Sequence, residues 1–367
     1  MYCKNGYKIK HIFIVLSLIL IPALVTAATN PSSAPRPHPL SPQLVPTFSL
    51  PLTLSFCGHA LPLQERHCRE MLDRELTIAA YNRAQVVMWL KRSPRYFPLF
   101  DQEIKALDLP DDLKFLAVAE SSLIEDIHSR AGAAGLWQFM RHTARRLGLR
   151  VNATIDERLD PITSTQCALN YLKFLKDKFT TWPLALAAYN CGEQRVTDAV
   201  EEQQTNNYHT LSLPAESERY LYRLAAIKLI LSDPATYGYE IDNNECYKPL
   251  EVDYLTLNPA HEYSLIDFAL KLGTTYHQLK KLNPHLIGKR LPKGKFNLTL
   301  PKGYKNRVTG ILKSIPPLAT RKAQYRVRRG DTLTAISHRF KISTTHLKRL
   351  NQLNSSKIMV GQQLRLQ

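Results

Sequence analysis

The sequence predicts a mainly α-helical domain followed by two small α+β modules. Three observations lead to this fold class. Residues 66–240 carry apolar side chains at helical spacing and no convincing run of strands. Residues 324–366 follow the order strand, helix, helix, strand, and residues 255–303 repeat that plan loosely. The two repeats share a short pattern, Leu-Lys-Arg-Leu-Asn at 347–351 and Leu-Lys-Lys-Leu-Asn at 279–283.

The N-terminal 27 residues are expected to be a signal peptide. Three lysines precede an apolar run from Ile12 to Val25, which ends in small residues. This run is shorter than the roughly 20 residues of a membrane-spanning helix, although an uncleaved anchor is the alternative. Residues 28–65 are rich in Pro and Ser and predict an extended tether. We therefore expect an exported protein of the periplasm or cell envelope, with peripheral membrane association as a further expectation.

Charge and cysteine content narrow the expected partners. The net charge is +18, and residues 241–367 hold 23 Lys and Arg against 7 Asp and Glu. Such a basic segment favours an anionic polymer or a membrane surface as the binding partner. Because the protein is expected to be exported, nucleic acid is not an expected partner. Cys57 and Cys68 are close enough in sequence for a disulfide, a pairing that the sequence leaves open. The histidines show no metal-ligand spacing, so we expect no metal and no other cofactor.

Caps and breakers predict the helix order. A helix from about 66 to 92 is expected to end at Ser93-Pro94, and Leu109-Pro110-Asp111-Asp112 begins the next, with acidic residues in its first turn. Further predicted helices cover about 140–147, 162–179, 183–190, 193–203 and 214–232. In the modules the expected helices are 264–272, 275–282, 335–340 and 344–351, and the expected strands are 297–301, 325–328 and 363–366.

Glu120 is the most informative single residue. Leu113, Leu116, Ala117 and Glu120 fall on one stripe of a helix, with Glu120 near its C-terminal end. Burial and the negative end of a helix both disfavour an ionised carboxylate, so Glu120 has the properties of a general acid. A solvated glutamate in the last helical turn is the alternative. No second carboxylate occupies a comparable motif, whereas enzymes that cleave glycosidic bonds usually use two.

The surrounding motifs resemble those of the lytic transglycosylases of bacterial cell walls. They comprise Glu120-Ser121, Ser129, Gly132, Gly135 to Met140, and Ala188-Tyr189-Asn190, and the similarity covers about 109–239. Residues 324–366 resemble a LysM module, 255–303 resemble a degenerate copy, and 304–323 link the two. With these repeats, the chain is most similar to the membrane-bound lytic murein transglycosylase D group.

The resemblance implies a lysozyme-like fold and one catalytic carboxylate, Glu120. That residue would cleave the β-1,4 bond between N-acetylmuramic acid and N-acetylglucosamine in peptidoglycan, first as acid and then as base, and leave a 1,6-anhydro end. A hydrolase similar to goose-type lysozymes is the enzymatic alternative, and a non-catalytic wall-binding scaffold is the other. Glu125-Asp126 stands where the family often has Asn-Pro, which leaves room for a hydrolytic variant.

The resemblance also implies further site residues. Tyr189 would hydrogen-bond the catalytic glutamate, although a core tyrosine is the plainer reading. The other implied substrate-binding positions are Ser129, Gln138, Met140, Asn190 and Tyr220, for which turn formation, packing or helix bracing are the alternatives. Gly132 and Gly135 are expected to let the backbone approach the glycan. The implied glycan-binding positions of the LysM module are Gly330, Asp331, Thr332, Leu333, Ile358 and Met359.

Overall fold

The computed structural model describes residues 47–318 and 324–366. The predicted signal peptide, the first part of the predicted tether and the last residues of the predicted linker lie outside these ranges. Throughout the described ranges, every helix is too short or too polar to cross a lipid bilayer.

The N-terminal part of the described chain is helical, as predicted. Its α-helices are α1 (Arg66–Tyr81), α2 (Arg83–Ala106), α3 (Lys114–Ser121), α4 (Arg141–Arg146), α5 (Pro161–Phe179), α6 (Trp182–Cys191), α7 (Glu193–Gln203) and α8 (Ala215–Ser232). They enclose one apolar core, in which Leu116, Trp137 and Tyr220 are almost fully buried. The predicted order of helices is therefore confirmed, and from α4 to α8 the boundaries differ by one residue at most. The single helix predicted over about 66–92 is instead two helices, α1 and α2, separated at Asn82.

Helix α2 corrects one predicted boundary. Ser93-Pro94 does not end it, because the helix continues through Pro94 and Pro98 to Ala106. The Ser93 hydroxyl donates to the carbonyl oxygen of Trp89. A proline inside a helix costs about 3 kcal/mol. We attribute its tolerance here to burial of the α2 face that carries Trp89 and Phe100.

Part of the predicted tether is folded. Strands β1 (Ser55–Phe56) and β2 (His59–Ala60) pair as a short antiparallel hairpin. Phe56, Leu61 and Leu63 are buried in the core of the helical domain. The Pro and Ser content of residues 28–65 predicted an extended tether and did not reveal these apolar residues. That prediction is wrong for the hairpin. Cys57 and Cys68 are both buried free thiols, without a disulfide between them.

A middle module follows the helical domain and includes much of the predicted linker. Its elements are β3 (Val252–Leu257), β4 (Tyr263–Ser264), α9 (Leu265–Leu272), α10 (Tyr276–Leu282), β5 (Arg290–Leu291), β6 (Phe296–Pro301) and α11 (Val308–Ser314). Strands β3 and β6 pair antiparallel over six residues, and β4 pairs with β5. Val308 and Ile315 are buried in the module's own core. Residues 304–315 are therefore part of the module and not a linker.

The C-terminal module has the predicted order of strand, helix, helix and strand. It consists of β7 (Gln324–Arg326), α12 (Leu333–Arg339), α13 (Thr344–Leu350) and β8 (Gln363–Arg365), with β7 and β8 antiparallel. Asn351 fastens α13 to β8, because its amide donates to the Arg365 carbonyl oxygen and accepts from the Arg365 N–H. Asn283 makes the same pair of bonds to Thr299 on β6. The asparagine that ends the shared sequence pattern thus has one structural role in both modules.

The middle module is docked on the helical domain by backbone hydrogen bonds. The N–H of Asp156 donates to the His285 carbonyl oxygen at 2.8 Å, and the N–H of Ile287 donates to the Thr154 carbonyl oxygen at 2.9 Å. Between these bonds the side chain of Ile155, 1% exposed, enters the apolar core of the module. One residue of the helical domain thus completes the core of its neighbour.

Candidate active site

Glu120 lies in the last turn of α3, at a helix end that is tightly held. The Ser121 hydroxyl donates to the Ala117 carbonyl oxygen and accepts from the Leu123 N–H. Ser122 and Leu123 both have positive φ angles, 51° and 58°, so the chain turns sharply after the helix. This turn leaves Glu120 on the wall of a groove with a volume of about 530 Å³.

The electrostatic surroundings of Glu120 favour its protonated form. Its side chain reaches the groove surface, but burial raises the pKa of Glu120 to about 7. A hydrogen bond from Tyr220 and the nearby guanidinium of Arg223 oppose this rise, and the charge of Glu216 adds to it. A carboxyl group with a pKa near neutrality can both donate and accept a proton at physiological pH.

Tyr220, and not Tyr189, hydrogen-bonds Glu120. The Tyr220 hydroxyl on α8 donates to Oε1 of Glu120. The Tyr189 hydroxyl on α6 donates instead to the Trp137 carbonyl oxygen at 2.8 Å. The role that the resemblance implied for Tyr189 is therefore corrected. Tyr189 lines the groove and holds the backbone just before Gln138, whereas the fully buried Tyr220 contacts the acid itself.

Gln138 and Met140 both line the groove, in the loop between α3 and α4. Gln138 has a positive φ of 48°, and its side-chain amide donates to the Gly135 carbonyl oxygen at 2.8 Å. Gly135 has φ +82°, and a Cβ atom there would lie 1.9 Å from the Arg158 carbonyl oxygen. Its close approach is therefore to the protein's own backbone, and not to glycan as expected. Gly132 also has positive φ, but the space around it is open.

A buried ion pair holds this loop in position. Arg158, 2% exposed, forms two hydrogen bonds to the carboxylate of Asp156, at 2.9 and 2.7 Å. Its remaining donor group bonds the carbonyl oxygens of Gly132 and Phe139, at 2.8 and 2.9 Å. A planar guanidinium suits this task because it presents several donors in a fixed geometry. The loop that carries Gln138 is thus held at both ends by one side chain.

Two of the predicted substrate-binding residues also have structural partners. Ser129 is exposed and stabilises a turn, with its hydroxyl accepting from the Ala133 N–H at 3.0 Å; it is not among the residues that line the groove. Asn190 does line the groove, and its side-chain oxygen accepts from the Ser217 hydroxyl at 2.6 Å. That bond braces α6 against α8. The alternatives of turn formation and helix bracing thus describe real contacts of these residues.

Glu193 is a second carboxylate in the groove, and the sequence reasoning did not identify it as one. It begins α7 and accepts hydrogen bonds from Arg146, Tyr171 and Lys178, at 2.6, 2.9 and 3.2 Å. Although partial burial opposes the effect, these bonds lower the pKa of Glu193. The position directly after Gly192, at a helix start, was the available signal. Glu193 is therefore ionised while Glu120 is poised to be protonated.

Glu125 and Asp126 lie away from the groove of Glu120. They line a different cavity, on the side of α2 and the middle module. Tyr96 donates a hydrogen bond to Glu125 at 3.0 Å. The structure thus separates both carboxylates from the groove in which a hydrolytic role was considered for them.

In the C-terminal module, the two predicted glycan-binding loops lie side by side. Backbone hydrogen bonds of 2.8 and 2.9 Å join Val327 to Gly361 and Gln362. Asp331 accepts from the Tyr325 hydroxyl and the Arg328 N–H, and Thr332 caps α12. Leu333 is buried in the module core, so its side chain does not face a ligand. Met359 is 74% exposed, Ile358 is partly buried, and Gly330 has a positive φ of 89°.

Comparisons with known proteins match two parts of this chain. A family model described as the transglycosylase SLT domain matches residues 100–212, and one described as the LysM domain matches residues 325–367. The chain carries an SLT domain and a LysM domain. The SLT match includes Glu120, Gln138, Tyr189 and Glu193, whereas Tyr220 lies beyond it. Together with the observed helices, the SLT domain confirms the predicted mainly α, lysozyme-like fold class, followed by α+β modules.

Several relatives share these domains. The membrane-bound lytic murein transglycosylase D of Escherichia coli K12 is 30% identical over 292 residues, which are 74% of this chain. This chain spans 63% of the length of that relative. The peptidoglycan transglycosylase gp16 of Escherichia phage T7 is 34% identical over 116 residues, or 31% of this chain and 9% of the phage protein. The 70 kDa soluble lytic transglycosylase of E. coli aligns at 19% identity and a TM-score of 0.34, over 48% of this chain and 33% of that structure.

Proposed function

We propose that this protein is a peptidoglycan lytic transglycosylase. The observation that carries the proposal is Glu120, a carboxyl group with a pKa of about 7 that receives a hydrogen bond from Tyr220 on the wall of a groove. The SLT match over residues 100–212 and the murein transglycosylase names of the relatives support the same activity. An exported protein of the bacterial envelope is the matching location.

The proposed reaction uses Glu120 twice. In its protonated form, Glu120 donates its proton to the glycosidic oxygen between N-acetylmuramic acid and N-acetylglucosamine, and the bond to the anomeric carbon breaks. The substrate's N-acetyl group stabilises the cationic carbon, as in substrate-assisted glycosidases. The ionised Glu120 then takes the proton of the 6-hydroxyl group, whose oxygen closes the 1,6-anhydro ring. No water is consumed, and Glu120 regains its starting proton.

The rest of the groove supports this cycle. Tyr220 has a pKa well above its usual value because it is buried, so it remains a hydrogen-bond donor throughout. Its bond stabilises the carboxylate that forms when Glu120 donates its proton. The cations Arg146 and Lys178 beside Glu193 provide a positive wall suited to a substrate that carries carboxylates.

The LysM domain is proposed to hold the enzyme on glycan strands. Gly330 and the adjoining backbone would bind N-acetyl groups, and the exposed Met359 would pack on a sugar ring. The side chains of Asp331 and Thr332 bind the module itself, Asp331 through the Tyr325 hydroxyl and Thr332 as the cap of α12. We therefore assign them to loop shape and not to sugar contact.

A hydrolase is the second candidate, and Glu193 is the observation that favours it. A second carboxylate in the same groove could activate water, which would give a reducing end in place of the anhydro end. Its three hydrogen bonds and lowered pKa make it a weak base, so we prefer the transglycosylase.

Digestion of purified peptidoglycan in ¹⁸O-labelled water separates the candidates. Mass spectrometry of the released muropeptides should show unlabelled anhydro ends, whereas hydrolysis would place the label at reducing ends. Glu120→Gln should lose cleavage by about 10³-fold or more, because general acid–base catalysis alone is worth 10²–10⁴. The same variant should still sediment with insoluble peptidoglycan. A wild-type chain that binds but releases nothing would identify a scaffold and overturn the proposal.

A further inference from the structure

A second cavity lies between the helical domain and the middle module. It has a volume of about 530 Å³ and adjoins another of about 440 Å³, with Arg95, Tyr96, Glu125 and Lys281 lining both. We call the joined space the composite cleft. None of its lining residues lines the groove of Glu120. It exists only because the module docks at Ile155, which brings α10 opposite α2.

One wall of the composite cleft carries a carboxylate without a counter-ion. Glu125 is partly buried and accepts one hydrogen bond, from the Tyr96 hydroxyl. No Lys or Arg nitrogen of the described residues lies within 4.0 Å of it. Burial raises the pKa of Glu125, because it disfavours the charged form. A partly desolvated carboxylate with free lone pairs is a good acceptor for a ligand amine.

Two cations of the cleft are also available, Arg95 on the same helix as Tyr96 and Lys281 on α10 opposite. Lys281 on α10 is exposed and forms no ion pair within the described residues. Arg95 on α2 is held in position, because its Nε donates to the Lys248 carbonyl oxygen at 3.3 Å and its guanidinium stacks on Tyr247. Both cations attract Glu125 electrostatically from beyond hydrogen-bonding distance. The gap between the opposite charges is part of the open space of the cleft.

This arrangement selects for one class of ligand. A neutral glycan would leave the charges of the cleft unmatched, and a polyphosphate would leave Glu125 and Asp126 without a partner. A ligand with an amine and a carboxylate would pair with both kinds of charge. Tyr247, Tyr254 and Leu250 add apolar surface that suits short aliphatic side chains.

We propose that the composite cleft binds the peptide stem of peptidoglycan through a free amine and a free carboxylate. The amine would contact Glu125, and the carboxylate would contact Arg95 and Lys281. This inference rests on the proposed function for the identity of the ligand, and it adds a recognition site separate from the glycan groove. The enzyme would then distinguish peptide-bearing wall from naked glycan.

Calorimetric titration of the full chain with a synthetic stem tetrapeptide tests the proposal without requiring catalysis. The peptide with free amine and carboxylates should bind, and the same peptide with its amine acetylated and its carboxylates amidated should not. Lys281→Ala and Glu125→Gln should each weaken binding about tenfold, the loss of one charge-assisted contact. Lys271→Ala, an exposed lysine of α9 outside the cleft, is the matched control and should bind normally.

Cleavage assays make a second, independent readout. Lys281→Ala should raise KM for peptide-bearing peptidoglycan while leaving the cleavage of amidase-stripped glycan unchanged. Absence of peptide binding by the wild-type chain, or binding by Lys281→Ala and Glu125→Gln that is as tight as in the wild-type chain, would overturn the cleft proposal even if anhydro products are formed. Conversely, peptide binding without any cleavage would sustain the cleft and overturn the proposed catalytic function.

Discussion

The Tyr220 hydroxyl donates a hydrogen bond to Oε1 of Glu120, across a hundred positions of the chain. It joins the buried face of α8 to the last turn of α3, inside the core that both helices share. Burial and this bond act in opposite directions on Glu120, because burial penalises its charge and Tyr220 stabilises it. Their balance leaves the carboxyl group close to half-protonated at neutral pH.

Tyr220→Phe should move the pH dependence of cleavage. Loss of the donor raises the pKa of Glu120, so the alkaline limb of the kcat/KM profile should shift to higher pH. The maximal rate should fall about tenfold or more, because a hydrogen bond to a charged group contributes about 1.5–3 kcal/mol. Tyr189→Phe is the matched control, since that hydroxyl binds the Trp137 carbonyl oxygen and should not move the limb. Equal shifts in both variants would contradict the assignment.

Glu120→Gln should stabilise the fold at alkaline pH. The folded-state pKa of about 7 exceeds the ordinary value of 4.5, so the contribution of Glu120 to stability is fully present below pH 4.5 and is lost as pH rises through 7. Glutamine does not ionise and avoids this loss. Thermal unfolding should show the variant more stable at pH 8.5, by on the order of 3 kcal/mol at most, and little different at pH 4.5. A stability difference independent of pH would contradict the raised pKa.

Glu193→Gln should preserve the reaction and alter substrate binding in the groove. If Glu193 only organises Arg146, Tyr171 and Lys178, anhydro products should persist with kcat within about threefold of the native value, a loss far smaller than the 10²–10⁴ of a catalytic base. KM should change as these cations lose their partner. Loss of all products on this substitution, with the fold intact by circular dichroism, would instead support the hydrolytic candidate.

Gly135→Ala should destabilise the helical domain far more than Gly132→Ala. Both glycines have positive φ, which costs an L-residue roughly 1–2 kcal/mol. At Gly135 the new methyl group would also collide with the Arg158 carbonyl oxygen, whereas at Gly132 it meets open space. Denaturant unfolding should show a difference of about 2 kcal/mol or more between the two variants. Similar losses at both positions would argue against the close packing of the loop.

The sequence predicted the features that depend on the local spacing of residues. Apolar periodicity and caps located the helices, and the repeated Leu-Lys-(Arg/Lys)-Leu-Asn pattern located the second helix of both modules. The choice between Tyr189 and Tyr220 depends on how α6 and α8 cross α3, which no local pattern records. Glu193 was missed for the same reason, since only the packing of α7 beside α4 and α5 brings it to Arg146, Tyr171 and Lys178. The continuation of α2 through Pro94 reflects tertiary burial, which outweighed the local signal.

Ile155 has a consequence for how such a protein can be recombined during evolution. Its side chain belongs by sequence to the helical domain and by packing to the core of the middle module. A gene fusion that joined the helical domain directly to another partner would leave this isoleucine and the Asp156 N–H without their contacts. Inheritance of the first two folded parts as one unit is therefore favoured. The exchangeable element is the C-terminal module, whose core contains only its own residues.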